Sequence, residues 1–253
     1  MRYALISSFV VTGLGLILAP IAARAADMPA GIAVYPEIVE SSSVDWSGFY
    51  AGFNLGYGLG NADPVDVTAF PGAAGATFGA IEPEGWQGGV QAGVNMQRGN
   101  LVFGLEGDLQ LSDITGTATA SSGGVTATGT MDLDWSGALR PRIGVSTGPA
   151  LIYATGGLAF GGLAGTVDVV GAAGETSTLT TTGDIAFGYT LGGGVEYALS
   201  DSISIKGEYQ FTHLGAEARG RVYDAAGTDL GLEPNSWINA DTHTIKAGLN
   251  FHF

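Results

Sequence analysis

From Trp46 onward the chain repeats one pattern, an apolar side chain at every second position with glycine or a polar residue between. Period two over such a length predicts a strand whose two faces meet different surroundings. In "WSGFYAGFNLGYG" Phe49, Ala51, Phe53, Leu55 and Tyr57 share one face, while Tyr50, Gly52, Asn54 and Gly56 share the other. Eight segments read this way: residues 46–58, 86–97, 101–112, 131–146, 150–162, 184–199, 202–214 and 241–253. The fourth sets Leu133, Trp135, Leu139, Ile143 and Val145 against Asp134, Arg140 and Arg142. Pro141 falls on its apolar side, where a missing amide predicts an edge or a bulge.

The connections alternate in length. Long ones at 59–85, 113–130, 163–183 and 215–241 are separated by tight turns near 98–100, 147–149 and 200–201. Antiparallel strands in a membrane give this when one rim carries extended loops and the other short turns. The predicted fold is therefore all-β: an eight-stranded antiparallel transmembrane up-and-down β-barrel over residues 46–253, with four long extracellular loops and short periplasmic turns. The second long connection, "ITGTATASSGGVTATGTMD", fits an ordered hairpin or a mobile loop, with no packed core of its own. The apolar run from Tyr3, with Ala23-Arg24-Ala25 behind it, predicts a signal peptide over 1–25 and a periplasmic linker over 26–45. After it no apolar run is long enough for a spanning helix.

A soluble barrel of the lipocalin kind would also alternate, with its apolar face inward. What occupies the other face separates the two. Here it carries Glu106, Asp108, Glu196 and Glu208 beside Arg140, Arg142, Lys206 and Lys246, four acids and four bases. Such a balance suits a narrow interior of paired charges. Arg140 and Arg142 are expected to meet Glu106 or Asp108, and Lys246 to lie near Glu208 or Glu196. Glycine is 43 of 253 residues, more than twice its usual share of about 7%; between long charged side chains it makes room. Trp46, Tyr57, Trp86, Trp135, Tyr153, Tyr189, Tyr197, Tyr209, Phe251 and Phe253 are expected to form interfacial girdles.

Without Arg2 and Arg24 the chain keeps seven basic residues against 24 acidic ones, a net charge of −17. That sign excludes a nucleic-acid partner. With no cysteine, disulfides and thiolate chemistry are excluded too. His213, His243 and His252 are the only histidines; Thr212, Thr244, Asp241 and Glu217 lie near the first two in sequence. No serine or nucleophile elbow accompanies them, so they read as interfacial polar residues, and no enzyme activity, metal or cofactor is expected.

The segments "DWSGFYAGFNLGYG", "GGVQAGVNMQRGNLVFGLEGDLQ", "ALIYATGGLAFG", "GYTLGGGVEYALSDSISIKGEYQFTHLG" and "HTIKAGLNFHF" resemble the small outer-membrane β-barrel proteins of alphaproteobacteria, related to surface-antigen and opacity-type barrels. The resemblance covers essentially all of 46–253. It implies insertion by the outer-membrane assembly machinery, with Phe251 and Phe253 as the terminal signal, and a structural, surface or adhesion-like role, sometimes under a porin label. No catalytic motif comes with it. The expected function is an envelope barrel that presents acidic loops and contacts outer-membrane lipid, lipopolysaccharide and a protein partner in the envelope. Arg219 and Arg221 are candidates for lipopolysaccharide phosphate, or else ordinary solubilising loop residues. The alternative is a small porin-like diffusion channel.

Overall fold

The computed structural model describes residues 44–62, 81–172, 174–181, 185–224, 226–229, 231 and 235–253. The signal peptide, residues 26–43 of the linker, and the loop acids Asp63, Asp66 and Glu233 lie outside the described residues. Nine strands follow in order: β1 Gly48–Ala62, β2 Glu84–Arg98, β3 Leu101–Ser122, β4 Val125–Thr147, β5 Ala150–Val170, β6 Thr176–Thr181, β7 Ile185–Ser200, β8 Ile203–Tyr223 and β9 Asn235–His252. All pairings are antiparallel. The order is β4-β3-β2-β1-β9-β8-β6-β5-β7, with additional pairings β4–β5 and β7–β8.

This corrects the eight-stranded up-and-down barrel expected from the periodic segments. The additional strand, β6, lies within the stretch 163–183 that its polar composition marked as a loop. Its sequence TSTLTT has one large apolar residue, too few to signal a strand. What makes it one is the edge on offer: β5 continues to Val170 and β8 to Tyr223, and β6 bridges them. Ser177 and Leu179 turn inward and are buried. The second long connection is likewise strand, with Ile114–Ser122 pairing Val125–Leu133 around a two-residue turn. Gly123 and Gly124 there have φ of 61° and 85°, a conformation that favours glycine. Val125, Ala127, Val167 and Val169 are buried in these extensions, so they do pack a core of their own.

Side chains on the outward face of the lower strand halves are large, apolar and exposed. Phe49, Phe53 and Leu55 on β1 have their counterparts in Leu105, Leu109 and Leu111 on β3 and Phe187 and Leu191 on β7. On β3 this stripe runs from Leu101 to Leu111. At about 3.3 Å per residue and the usual tilt of about 40°, that length is roughly 25 Å high, the thickness of an outer-membrane apolar band. A concavity of about 750 Å³ opens on this same face where Ala51, Ala92 and Gly107 align in register. The sheet is transmembrane, and its upper strand halves extend beyond the bilayer.

Two local departures change which way side chains point. A register shift between Leu133 and Trp135 reverses the alternation of β4, burying Leu133 and exposing Asp134, opposite to the expectation for both. Pro141 lies at neither an edge nor a bulge. The β4–β5 ladder lapses from Arg140 to Pro141 without changing register, and Thr155 Oγ1 donates to the Pro141 carbonyl at 3.0 Å. Aromatic placement also needs correction: Trp46 and Tyr153 are buried inside rather than in a girdle. Tyr57 with Trp86, Trp135 with Phe160, and Tyr189 with Phe211 make the outer aromatic pairs.

β9 pairs β1 from Tyr50↔His252 to Ala62↔Ala240, and the Phe253 amide donates to the Phe49 carbonyl at 2.9 Å. The C-terminal strand therefore has a partner on each side, β8 and β1.

Candidate functional site

The inward side chains stack in layers. Nearest the tight turns, Trp46, Val102, Leu151 and Tyr153 form an apolar cluster, held at its base by the Trp46 amide donating to Gln97 Oε1 at 2.8 Å. Above it lies the charged layer. Arg140 from β4 reaches Glu106 at 2.7 Å and Asp108 at 3.0 Å on the neighbouring β3, and Glu208 at 2.7 Å on β8 across the interior. Arg142 donates to Glu196 at 2.8 Å and to the Tyr50 hydroxyl at 2.8 Å. Lys206 lies 3.0 Å from Glu106 and 3.6 Å from Glu208.

The eight charges occupy one connected layer because the period-two register aims them there. Glu106 faces Arg140 directly across β3–β4, Glu196 faces Lys206 across β7–β8, and Glu208 faces Lys246 across β8–β9. Lys246 thus lies beside Glu208 as expected, and its ion pair within 4 Å is with Asp108, at 3.7 Å, which the sequence did not single out. All eight side chains are almost fully buried. Charges buried this deeply persist only when paired and hydrogen-bonded. Tyr50 and Tyr153, which charge counting does not find, complete the pairing. The Tyr50 hydroxyl donates to Glu106 at 2.7 Å and that of Tyr153 to Glu208 at 2.6 Å. Tyr50 shares the parity of Asn54, and that was the available signal. Glu196 also accepts from Ser204 at 2.6 Å and Asn250 at 2.7 Å.

Glycines make the room. A Cβ at Gly93 would meet the Tyr50 ring at 2.5 Å, and one at Gly104 would meet Arg142 Cγ at 2.9 Å. Replacing Gly93 by valine is expected to displace Tyr50 from Glu106 and lower the yield of refolded protein severalfold, as read by heat-modifiable gel mobility; an unchanged yield would mean the ring has space to move.

Above the charges come Gln87, Ser136, Gln210, Thr212, Thr242 and Thr244, around a cavity of about 20 Å³. A second apolar cluster, including Ile114, Met131, Leu133, Leu163 and Leu214, closes the interior on the side of the long connections. Sequence reading missed this cluster, because Leu133 falls at the register shift of β4 and Ile114 and Leu163 lie in stretches that read as long connections.

On the outward face of the upper rim, His213 Nδ1 lies 2.6 Å from Asp241 Oδ1 and stacks on Tyr189. His243 Nδ1 lies 2.6 Å from the Tyr209 hydroxyl. Each histidine thus has its own partner, and among the described residues no group of three metal-ligating side chains forms. His252 lies on the inward face at the opposite rim, 2.9 Å from Ser204 Oγ. Higher on β8, Arg219 and Arg221 are exposed and face outward, Arg219 paired with Glu217 at 3.1 Å and Arg221 with Asp229 at 3.1 Å. In the turn after β8, the Thr228 and Ala226 amides donate to Asp224 and hold its carboxyl below the usual range. At the opposite rim, the Ser47 amide does the same for Asp45. Phe251 and Phe253 both face outward, Phe253 almost fully exposed.

A family model for the outer membrane protein beta-barrel domain matches residues 16–253. A 31 kDa outer-membrane immunogenic protein of Brucella melitensis is 33% identical, covering 91% of this chain and 93% of its own. A 22 kDa outer membrane protein of Rhizobium leguminosarum is 30% identical over 82% of this chain and 78% of its own. Among solved structures, the outer membrane protein OprG of Pseudomonas aeruginosa aligns over 84% of this chain and 98% of its own, at 12% identity and a TM-score of 0.49. The chain is an outer-membrane protein and belongs to the outer membrane protein beta-barrel domain family.

Proposed function

We propose that this protein is a structural surface component of the outer membrane that fills its place in the bilayer without conducting, and that presents acidic extensions outside. The observation that carries the reading is the filled interior. Two apolar clusters bracket a fully paired layer of eight charges, and the cavity above that layer, about 20 Å³, has room for about one water molecule. Water-filled porins use about 16 strands or more to leave a lumen. A conducting path here would have to open both clusters and break buried ion pairs. The relatives named as immunogenic support surface presentation of the extensions.

Planar-bilayer recordings of the refolded protein test this. No openings above the leak are expected, and reproducible single-channel steps from the purified protein would favour the porin-like alternative instead. Two residue roles accompany the proposal. Arg219 and Arg221 face outward above the apolar band, where they can exchange their carboxylate partners for lipopolysaccharide phosphate. Phe251 and Phe253, on the outward face of the last strand, are placed to be read by the assembly machinery before β9 pairs with β1. Deleting Phe253 should reduce the assembled fraction in cells severalfold while leaving the urea midpoint of the refolded protein nearly unchanged. Equal losses in both would make Phe253 a stability residue.

A further inference from the structure

The outward face of the extensions is built unlike the rest of the surface. Strand register aligns its side chains in rows that run across five strands. One row is Thr117, Thr130, Thr166, Thr180 and Arg219; the next is Thr119, Thr128, Asp168, Thr178 and Arg221. Thr117, Thr119, Asp168, Thr178 and Thr180 are exposed, and Thr128, Thr130 and Thr166 half-buried. Neighbouring side chains are close enough to share hydrogen bonds: the Thr119 and Thr128 hydroxyls lie 3.3 Å apart, and the Thr178 hydroxyl donates to the Asp168 carboxylate at 2.7 Å. A hydroxyl has one donor and two acceptor positions, so each keeps capacity after such a bond. Neighbours lie about 4.8 Å apart across strands and about 6.6 Å along them. The result is a regular array of donors and acceptors ending in two guanidiniums.

Position selects what covers it. The parity that points Thr115, Thr117 and Thr119 outward on β3 also points Leu105, Leu109 and Leu111 toward the acyl chains. The lattice therefore continues the lipid-facing surface upward without a change of face, to the level of whatever polar group the outer-leaflet lipid carries. A phosphate alone would call for cations, and on these rows they stand only at the β8 end. Seven threonine hydroxyls in two rows suit a ligand that is itself rich in hydroxyls.

We propose that this threonine lattice binds the sugar portion of an outer-leaflet glycolipid, with Arg219 and Arg221 marking its phosphate-bearing side. The proposal rests on the surface reading above and adds the substrate class and the contact face. Valine is the matched replacement, since it keeps the branched shape and strand propensity of threonine while removing the hydroxyl.

The test uses the full-length mature protein refolded into vesicles containing either lipopolysaccharide with its core sugars or the sugar-free lipid A form. After a detergent wash, bound glycolipid per protein is measured. A Thr119→Val, Thr128→Val, Thr178→Val variant should retain about tenfold less of the sugar-bearing form and an unchanged amount of lipid A, with native heat-modifiable mobility. An Arg219→Gln, Arg221→Gln variant should lose both forms. Equal retention of the sugar-bearing form by wild type and the valine variant overturns the lattice, as does equal loss of both forms by a folded valine variant. Unchanged retention by the arginine variant overturns only the phosphate reading and leaves the lattice standing.

Discussion

Replacing Arg140 by alanine should cost about 3 to 5 kcal/mol of stability, seen as a fall in the urea midpoint of the refolded protein. Arg140 is the one cation that joins Glu106, Asp108 and Glu208, each within 3.0 Å. Without it, three carboxylates from β3 and β8 are left with Lys206, Lys246 and, for Glu106, Arg142 at 3.5 Å. The loss exceeds the value of the individual pairs, because what remains is uncompensated buried charge rather than a missing contact. A methionine at Arg140 combined with Glu208→Gln should recover much of it, because three acids then face three bases, with Lys206 kept on Glu106, Lys246 on Asp108 and Arg142 on Glu196. Were the single alanine variant as stable as wild type, water would have to reach this layer and the interior would not be filled.

The second large effect concerns the outer face. Leu139 is about half exposed and sits level with Gly107 and Leu158, near the middle of the apolar band. Leu139→Arg should destabilise the protein in bilayers by about 2 to 4 kcal/mol, as read by reversible unfolding from vesicles. Thr128→Arg, on the outward face of the same strand but beyond the register shift, should change stability by only about 0.5 kcal/mol or less. A soluble protein would tolerate both substitutions alike. Equal, small effects at the two positions would therefore remove the membrane from the account.

How much of this was legible in the sequence depends on where the alternation stays in step. From Phe49 to Leu59 and from Leu101 to Leu111 nothing interrupts it, and the exposed apolar stripe follows the sequence residue by residue. The charged layer was legible for the same reason, since Glu106, Arg140, Lys206 and Glu208 lie on uninterrupted parity. Its partners across the interior were less so: Lys246 lies opposite Glu208 in register but also pairs with Asp108 on β3, and sequence alternation does not say which non-neighbouring strands meet across the interior.

Parity fails at the shift beside Asp134, where one register step exchanges the faces of Leu133 and Asp134. Beyond it the extensions use threonine, glycine and alanine, whose alternation carries little hydropathy contrast, so their strands read as loops. β6 is the extreme case, a strand made by the edges of β5 and β8 more than by its own residues. Trp46 was misplaced for another reason. It precedes β1 but shares the parity of the inward-facing Tyr50 and Asn54, and its aromatic character, not its parity, suggested a girdle.

The absence of native cysteine makes the central claim directly measurable, since every introduced thiol is unique. Single cysteines at Leu105, Leu109, Glu106, Asp134 and Thr119, labelled in the refolded protein in vesicles, would report the surroundings of each face. Labels at Leu105 and Leu109 are expected to be quenched by a bilayer-soluble quencher and shielded from an aqueous thiol reagent. Thr119 and Asp134 should react with that reagent, and Glu106 should be shielded from both. Ready aqueous reaction at Leu105 and Leu109 would contradict the lipid-facing surface, and ready reaction at Glu106 would contradict the filled interior.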